Sequence, residues 1–332
     1  MTRDTLSDVL RTVRLRGAVF YYVTCGDEWA AEAPAAREIA AAVMPGVEHV
    51  IEYHVMVKGG CWAAVLGEPP VRLGAGDIVM FPQGDAHVMS SAPGVRPTML
   101  DAEWVYATRN DPKPIPVAYH GGATYLTRQP PPDASANIVC GFLGCDVRPF
   151  NPLIAGLPRL LHVRASGDSD WTARLLQQAV DASQDRRPGG EAVLERMSEM
   201  MFVDAVRRYV DALPQPAAGW LAGLRDRYVG RALALIHAEP ARDWTIEALA
   251  SDVALSRSAL YDRFVQFVGQ PPMQYLTQWR MTVAARLLRE THAPVNAIAL
   301  EVGYDSEAAF SRAFKRLTGS PPASWRREQR DV

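Results

Sequence analysis

The stretch VGYDSEAAFSRAFKRLTGSPP, residues 302–322, decides the fold of the C-terminal part of this chain. Gly303 allows a tight turn, because glycine adopts positive φ angles without steric cost. Ser306 stands where a helix can begin, since its hydroxyl can accept a hydrogen bond from a free backbone N–H of the first turn. Phe310 and Phe314, four residues apart, share one face of that helix. The stretch therefore predicts a turn followed by an amphipathic helix that ends before the double proline.

A second copy of this pattern lies earlier in the chain, in IEALASDVALSRSALYDRFVQFVGQPP, residues 246–272. Allowing one extra residue in the second turn, the copies align at Ala250 with Ala299, Val253 with Val302, Ser256 with Ser306, Leu260 with Phe310, Phe264 with Phe314, Gly269 with Gly319, and Pro271-Pro272 with Pro321-Pro322. Such self-similarity indicates an internal duplication. Each copy has a short helix, a turn and a serine-started helix, which is the layout of a helix-turn-helix motif.

A long helix is predicted between the two copies, from about Pro272 to Glu290. At 1.5 Å per residue it would span about 27 Å, near the spacing of about 34 Å between successive major grooves on one face of B-DNA. The whole chain has a net charge of −2, but from Arg225 onward it has 15 Lys and Arg against 12 Asp and Glu. This small positive excess agrees with a bipartite DNA-binding domain, although a mixed solvated surface would look similar.

The segment from about Leu224 to Arg327 resembles the DNA-binding domain of AraC/XylS-type transcriptional regulators, and VGYDSEAAFSRAFKRLTGSPPASWR matches that family's signature almost position by position. The resemblance implies that the second helix of each motif enters the major groove of DNA. The side chains carried there would be Arg257, Ser258, Tyr261, Asp262 and Arg263 in the first motif, and Ser306, Glu307, Ala308, Ser311, Arg312 and Lys315 in the second.

Two of these side chains have distinct expected roles. Arg312 is the first choice for a base contact, because arginine can donate two hydrogen bonds to O6 and N7 of guanine, whereas Lys315 is expected on phosphate. Asp262 would be repelled by phosphate unless it accepts from cytosine N4 or pairs with Arg263 or Arg257. The alternative for all the charged positions is that they form only a solvated helix face.

The chain from about Gly17 to Cys145 contains short strand-like runs, including HVIEYHVMV, CWAAVL and DIVMFP, separated by turns rich in Gly and Pro. This texture predicts a β-sandwich or barrel. The stretch GAGDIVMFPQGDAHVMS, residues 74–90, is similar to the second conserved motif of cupin barrels. The positions that carry this similarity are Gly76, Pro82, Gly84 and His87. The resemblance implies the cupin-type sensor domain of one branch of AraC-type regulators, over roughly residues 7–210.

The predicted fold class is α+β. A cupin-like domain is expected over residues 1–213, with the barrel at about 17–145 and helices at about 152–213. A linker follows at 214–223, and an all-α domain with two helix-turn-helix motifs at 224–332. The helices after the barrel, in WTARLLQQAVDAS and GGEAVLERMSEMMFVDAVRRYVDAL, either cover the barrel or form a dimer interface, for which a Met-Met pair is an adaptable surface.

The predicted effector-binding residues of the barrel are Glu52, His54, Cys61, Trp62 and His87. Enzymatic cupins hold a transition metal with histidines and a glutamate, but this chain has no His-x-His. Glu52 and His54 share one strand face, and His87 could join them, which makes these three residues candidate metal ligands. The alternative is that these histidines are hydrogen-bonded structural residues, so no cofactor is predicted.

The composition argues against a secreted, membrane-spanning or disulfide-stabilised protein. The N-terminus mixes acids with bases, and no run of eighteen apolar residues occurs, so we expect a cytoplasmic protein without a membrane partner. Cys25, Cys61, Cys140 and Cys145 fit no disulfide framework for a chain of this length, and reduced thiols are expected. Redox sensing would require a lowered thiol pKa.

We therefore expect a transcriptional regulator, not an enzyme, whose partners are double-stranded promoter DNA, a small-molecule effector, RNA polymerase and a second copy of the chain. The family resemblance makes activation the more common outcome. Two alternatives stay open at this point. One is a metal- or thiol-based stress-sensing regulator, and the other is a cupin-type metalloenzyme with a helical interaction domain.

Overall fold

The computed structural model describes residues 4–100, 102–120, 123–127, 129, 131–165, 171, 178, 188–214 and 217–329. They form two compact units. The barrel unit comprises the described parts of Leu15–Cys145 and Leu157–Ala212, and the helical unit those of Met1–Arg14, Asp146–Gly156 and Leu213–Val332. Within the described ranges, no helix has the length and apolar character needed to cross a bilayer.

All strands in the part of the chain that the structure describes belong to the barrel unit. They are β1 (Arg16–Cys25), β2 (Ala30–Ala33), β3 (His49–Lys58), β4 (Gly60–Val65), β5 (Val71–Gly74), β6 (Ile78–Phe81), β7 (His87–Ser90), β8 (Thr98–Met99), β9 (Ile115–His120), β10 (Ala123–Leu126), β11 (Ala136–Cys145) and β12 (Leu161–Val163). Seven form a sheet in the order β10-β9-β1-β11-β3-β6-β12, and five form a sheet in the order β5-β4-β7-β2-β8. The strands predicted at HVIEYHVMV, CWAAVL and DIVMFP are confirmed as β3, β4 and β6.

Close packing at the middle of the larger sheet explains why residue 141 of β11 is a glycine. A Cβ on Gly141 of β11 would lie 2.3 Å from both the carbonyl oxygen of Ala18 and the hydroxyl of Tyr53. The Tyr53 hydroxyl donates to that carbonyl at 3.1 Å and lies 2.7 Å from the Ser198 hydroxyl. A larger residue at position 141 would push these strands apart.

Among the described residues of the barrel unit, three helices accompany the sheets: α2 (Ala36–Val43), α3 (Ala102–Thr108) and α5 (Gly190–Ala212). The α5 helix packs on β1. Its buried face consists of Leu194, Ser198, Met201, Phe202, Ala205 and Val206. The second predicted helix after the barrel is thus confirmed, and it covers the barrel. The first, in WTARLLQQAVDAS, lies outside the described residues apart from Trp171 and Gln178.

The helical unit contains α1 (Thr5–Thr12), α4 (Pro152–Gly156), α6 (Trp220–Arg225), α7 (Arg227–Ala238), α8 (Ile246–Asp252), α9 (Arg257–Val268), α10 (Pro272–Glu290), α11 (Val295–Glu301), α12 (Glu307–Thr318) and α13 (Pro322–Glu328). The pairs α8–α9 and α11–α12 are the two predicted helix-turn-helix motifs. The spacer helix α10 has the predicted bounds, because proline starts it and no glycine or proline interrupts it.

The helical unit includes two segments that the sequence places with the barrel, namely α1 and Asp146–Gly156, which we call the docked segment. Asp146 forms an ion pair with Arg289 of α10 at 2.6 Å, and the two side chains are only 13% and 9% exposed. The Thr282 hydroxyl of α10 donates to the carbonyl oxygen of Phe150 at 3.0 Å. The docked segment therefore follows one side of the spacer helix.

The turns of the two motifs share a left-handed residue. Gly303 has a φ of 85°, and Ala254, at the equivalent position in the first motif, has a φ of 60°. A Cβ on Gly303 would lie 2.8 Å from the backbone of Ala241 and from the guanidinium of Arg280. Glycine is therefore required in the second motif, whereas alanine in the first tolerates a conformation that costs roughly 1–2 kcal/mol.

Candidate functional site

The candidate DNA-binding helices α9 and α12 have matching ends. Each has 12 residues. The hydroxyls of Ser256 and Ser306 accept from the backbone N–H three residues ahead, at 3.3 Å in both. Each helix ends at a left-handed glycine, Gly269 or Gly319, whose φ angles are 77° and 83°. Both hydroxyls thus satisfy one of the free N–H groups of a helix N-terminus, so Ser306 has an N-cap role as well as an exposed position.

The exposed face of α9 carries four of its predicted residues: Arg257, Ser258, Tyr261 and Asp262. Arg257 forms an ion pair with Glu247 at 3.1 Å. The Arg257 and Glu247 side chains are 71% and 59% exposed. Such a pair contributes about 0–1 kcal/mol, so Arg257 can exchange its carboxylate partner for phosphate or base at little cost.

Arg263, the fifth predicted residue of α9, lies against its own unit. Its guanidinium donates to both carboxylate oxygens of Asp226, the N-cap of α7, including Nε–Oδ1 at 3.0 Å. It also lies over the rings of Tyr228 and Phe267. Burial raises the pKa of Asp226, but hydrogen bonds from Arg263 and the backbone hold it below its usual value. These contacts tie α9 to α7, a role that the sequence analysis did not foresee.

On α12 the predicted residues are distributed over the outer face. Those that are exposed are Ser306, Glu307, Ala308, Arg312 and Lys315, and Ser311 is half-buried. The opposite face buries Phe310 and Phe314 completely. The structure thus separates the apolar face from the charged face as the four-residue spacing predicts.

Arg280 of α10 is a structural residue that the sequence analysis missed. Its guanidinium donates to three carbonyl oxygens: Gly303 at 3.1 Å, Pro240 at 2.7 Å and Arg242 at 2.9 Å. It therefore connects the second turn to the loop before the first motif. Arg280 is one of three arginines in α10, and its partners are remote in sequence, so no local pattern marked it out from the other two.

The barrel unit contains a cavity of about 60 Å³, measured as the space open to the centre of a water-sized sphere. Its apolar walls include Tyr21, Val23, Trp29, Ile39, Met89, Leu100, Trp104, Val105, Val117, Tyr119, Ile138 and Phe142. Glu52, His54, His87 and Cys140 form a polar end. Since one water needs roughly 10–15 Å³ on this measure, the cavity has room for several waters or a small ligand group.

A hydrogen-bonded chain runs along the polar end. His87 Nδ1 lies 3.2 Å from the carbonyl oxygen of Asp85, which can only accept, so Nδ1 donates. His87 Nε2 then accepts from His54 Nε2 at 2.7 Å, and His54 Nδ1 accepts from the Cys140 thiol at 3.0 Å. Burial lowers the pKa of His54, aided by His87, and lowers that of His87 to about 4. Both rings are therefore neutral near pH 7.

Glu52 is the third polar group at this end. Its Oε2 lies 3.9 Å from His87 Nε2. Its Oε1 is buried and makes no hydrogen bond among the described residues. Burial raises the pKa of Glu52 to about 8, so the carboxyl group is mostly protonated at pH 7. A nitrogen of each histidine and an oxygen of Glu52 lie within 4.8 Å of one another.

The structure places the two other predicted effector residues elsewhere on β4. Cys61 is buried, with its sulfur 3.3 Å from that of Met56, and Trp62 is half-buried. Neither lines the cavity, whose wall is formed by residues of other strands, of α2 and of α3. The tryptophans that do line it, Trp29 and Trp104, had no local signal in the sequence.

Burial also determines the pKa of three cysteine thiols in the barrel unit. It raises the pKa of Cys25 and Cys140, and that of Cys61 to about 12. A reactive cysteine requires a lowered pKa and access to solvent. These three thiols therefore stay protonated, which does not favour the thiol-based alternative.

Comparisons with known proteins agree with both units. The family model described as cupin matches residues 4–211, and the one described as helix-turn-helix domain matches residues 249–328. A putative AraC-like transcription regulator of Streptomyces lividans is 33% identical over 98% of both chains. The HTH-type transcriptional regulator AlkR of Acinetobacter baylyi is 27% identical over 98% of this chain and 99% of its own.

Among solved structures, the C-terminal domain of AraT, a response regulator from Geobacillus stearothermophilus, is 36% identical with a TM-score of 0.30. The match covers 31% of this chain and 85% of that domain. The duplicated motif, the barrel and the full-length relatives thus agree: the chain belongs to the AraC-type DNA-binding transcriptional regulators that have an N-terminal cupin domain.

Proposed function

We propose that α9 and α12 are the two recognition helices, and that they bind adjacent major-groove segments of one promoter duplex. The observation that carries this proposal is their equivalence: two 12-residue helices with the same serine cap and glycine end, each exposing the face opposite its buried core. The 19 residues of α10 between the motifs span roughly 28 Å at 1.5 Å per residue. This length suits grooves about 34 Å apart.

Arg312 and Lys315 give the sharpest test. Arg312→Ala should weaken promoter binding by about 1–3 kcal/mol and relax base preference at one position, because two hydrogen bonds to guanine are lost. Lys315→Ala should weaken binding similarly on all sequences and reduce the salt dependence, because a phosphate contact releases a counterion. Fluorescence anisotropy with promoter and single-base variants, repeated across salt concentrations, measures both effects.

Arg196→Ala is the matched control, since Arg196 is 74% exposed and belongs to the barrel unit. It should leave promoter affinity and base preference unchanged. If Arg312→Ala behaved like this control on every base variant, α12 would not be reading bases through Arg312.

For the barrel we propose that a small-molecule effector binds in the cavity between the aromatic walls and the polar end, and that the cavity binds this molecule without converting it. An effector can shift DNA binding only through different affinities for the two DNA-binding states, typically by 5- to 150-fold. Native mass spectrometry of freshly purified protein should detect a retained molecule, and its removal should change promoter affinity within that range. An unchanged affinity would contradict control through the cavity.

Dimerisation and activation are further parts of the proposal. Val193 and Met200 of α5 lie outside the buried face that packs on the barrel, and they are 52% and 50% exposed. An apolar pair of this kind suits a homodimer contact, which sedimentation velocity measures directly. Contact with RNA polymerase, and activation instead of repression, remain predictions that in vitro transcription from the promoter can measure.

A further inference from the structure

Asp262 occupies the position in the first motif that Arg312 occupies in the second. The motifs align with Ser256 on Ser306, and Asp262 and Arg312 each lie 6 residues after that serine. Both side chains are exposed, on α9 and α12 respectively. Since Arg312 is proposed to contact a base, its counterpart on α9 should have the same place relative to the duplex. The duplication therefore puts opposite charges at equivalent points of the two candidate recognition helices.

The two arginines that could neutralise Asp262 are paired with other carboxylates. Arg257 forms its ion pair with Glu247 at 3.1 Å. Arg263 donates through Nε to both carboxylate oxygens of Asp226, at 3.0 and 3.1 Å. Asp262 is exposed, and its carboxylate makes no ion pair or hydrogen bond among the described residues. Pairing within the chain therefore does not account for this acid.

Helix geometry separates Asp262 from both arginines. Side chains on a helix meet when they are three or four residues apart, whereas adjacent residues do not face each other. Arg263 follows Asp262 directly and Arg257 precedes it by 5 residues, so neither lies beside its carboxylate. The positions three and four residues away carry no cation: they are Ser258, Ala259, Val265 and Gln266. Asp262 is thus an uncompensated negative charge on the face proposed to bind DNA.

We propose that Asp262 recognises a cytosine, by accepting a hydrogen bond from the N4 amino group of that base in the major groove. An ionised carboxylate can only accept hydrogen bonds, and phosphate repels it, so it favours binding only where a base edge offers a donor. This inference rests on the proposed placement of α9 and deepens it by naming the base that one side chain recognises.

The major-groove edges of the four bases rank the expected preference. Guanine presents two acceptors, N7 and O6, and thymine presents the acceptor O4 beside a methyl group, so both oppose a carboxylate. Adenine offers its N6 amino group beside the acceptor N7, whereas cytosine offers the N4 amino group without a neighbouring acceptor. Cytosine should therefore be preferred, adenine should follow, and guanine and thymine should be rejected.

Selection of bound duplexes from a randomised library, with the full chain, measures this preference. Wild-type protein should select a cytosine in the subsite bound by α9, and guanine or thymine there should weaken binding by roughly 5- to 150-fold, the range for one mismatched base pair. Asp262→Asn, which keeps side-chain size, should change the preference at that position to adenine, because an amide can bond to both N6 and N7. The control Asp27→Asn removes an exposed carboxylate of the barrel unit and should select the wild-type sequence.

A modified base tests the contact itself. Replacing the selected cytosine with a pyrimidinone base removes its N4 amino group. This replacement should weaken wild-type binding by a similar factor, but it should cause no additional loss for Asp262→Ala, because the partner is already absent. The same replacement at a cytosine outside both subsites is the control for the weakened base pair.

Arg312→Ala separates failure of this inference from failure of the proposed function. It should alter the selected sequence at a different position, about 10 base pairs away, because equivalent points of the two motifs lie one helical turn apart. If Arg312→Ala altered the sequence while Asp262→Asn did not, the role of Asp262 would be wrong and α12 would still bind the groove. If neither variant altered it, the placement of both helices would be wrong.

The wild-type protein decides the matter if the Asp262 variants do not fold. Selection of no cytosine in the α9 subsite would overturn the proposal. So would a pyrimidinone duplex that binds as tightly as the unmodified one, because the N4 amino group would then make no contact.

Discussion

Phe314→Ala is expected to lower the free energy of unfolding of the helical unit by about 3–5 kcal/mol. Phe314 is fully buried in the core of the second helix-turn-helix motif. Its ring centroid lies 5.6 Å from that of Phe310 and 5.8 Å from that of Trp325. Removing it loses both the transfer free energy of the ring and its contacts with a rigid aromatic cluster that cannot close the cavity.

Urea unfolding of the full chain, followed by circular dichroism, measures this loss. Leu300→Ala is the control, because Leu300 lies on α11 of the same motif but is 62% exposed, and surface changes usually stay within about 0.5 kcal/mol. Phe264→Ala, at the equivalent buried position of the first motif, should match Phe314→Ala. Equal small effects for Phe314 and Leu300 would mean that α12 does not pack on its phenylalanine face.

Arg289→Ala is expected to lower the free energy of unfolding of the helical unit by about 3 kcal/mol, because it removes one partner of a largely buried ion pair with Asp146. We take the lower end of the usual range since Asp146 keeps a small exposed fraction of 13%. The loss should weaken the attachment of the docked segment to α10, where the hydrogen bond from Thr282 to Phe150 and the ring contact between Phe150 and Tyr275 remain.

A double-mutant cycle with Asp146→Asn isolates the pair, because it compares the cost of the double substitution with the sum of the two single costs, and the difference is the coupling energy between the two side chains. The exposed pair Arg257–Glu247 provides the control cycle, with a coupling of about 0–1 kcal/mol. If the two cycles gave the same small coupling energy, the docked segment would not be held by its ion pair.

Sequence patterns predicted much of the fold because they are local. The serine caps, the glycine ends and the four-residue spacing of phenylalanines act within one or two helical turns, so both motifs and α10 could be located. Strands β3, β4 and β6 were predicted because Gly and Pro turns separate them. The grouping of α1 and the docked segment with the helical unit could not be predicted, because it depends on contacts such as Asp146–Arg289 between residues remote in sequence.

The candidate site residues also divide into those that local patterns predicted and those whose surroundings depend on residues remote in sequence. Glu52 and His54 were paired because alternate residues of a strand share a face, and His87 was added through a resemblance. Cys61 was also predicted as an effector residue, but in the structure its sulfur lies 3.3 Å from that of Met56, away from the cavity wall. Arg263 looked like any other charged residue of α9 until Asp226 was found beside it.

The sequence by itself determined that this chain has a duplicated helix-turn-helix motif and a β-rich N-terminal region, because capping, turn and periodicity signals lie in neighbouring residues; the cupin type of the barrel came from a family resemblance. Only the tertiary structure decided which charged side chains form ion pairs within their own unit. It also decided which polar groups lie together at the end of the cavity. Those properties depend on distances and burial between separate strands and helices, and a linear pattern does not contain them.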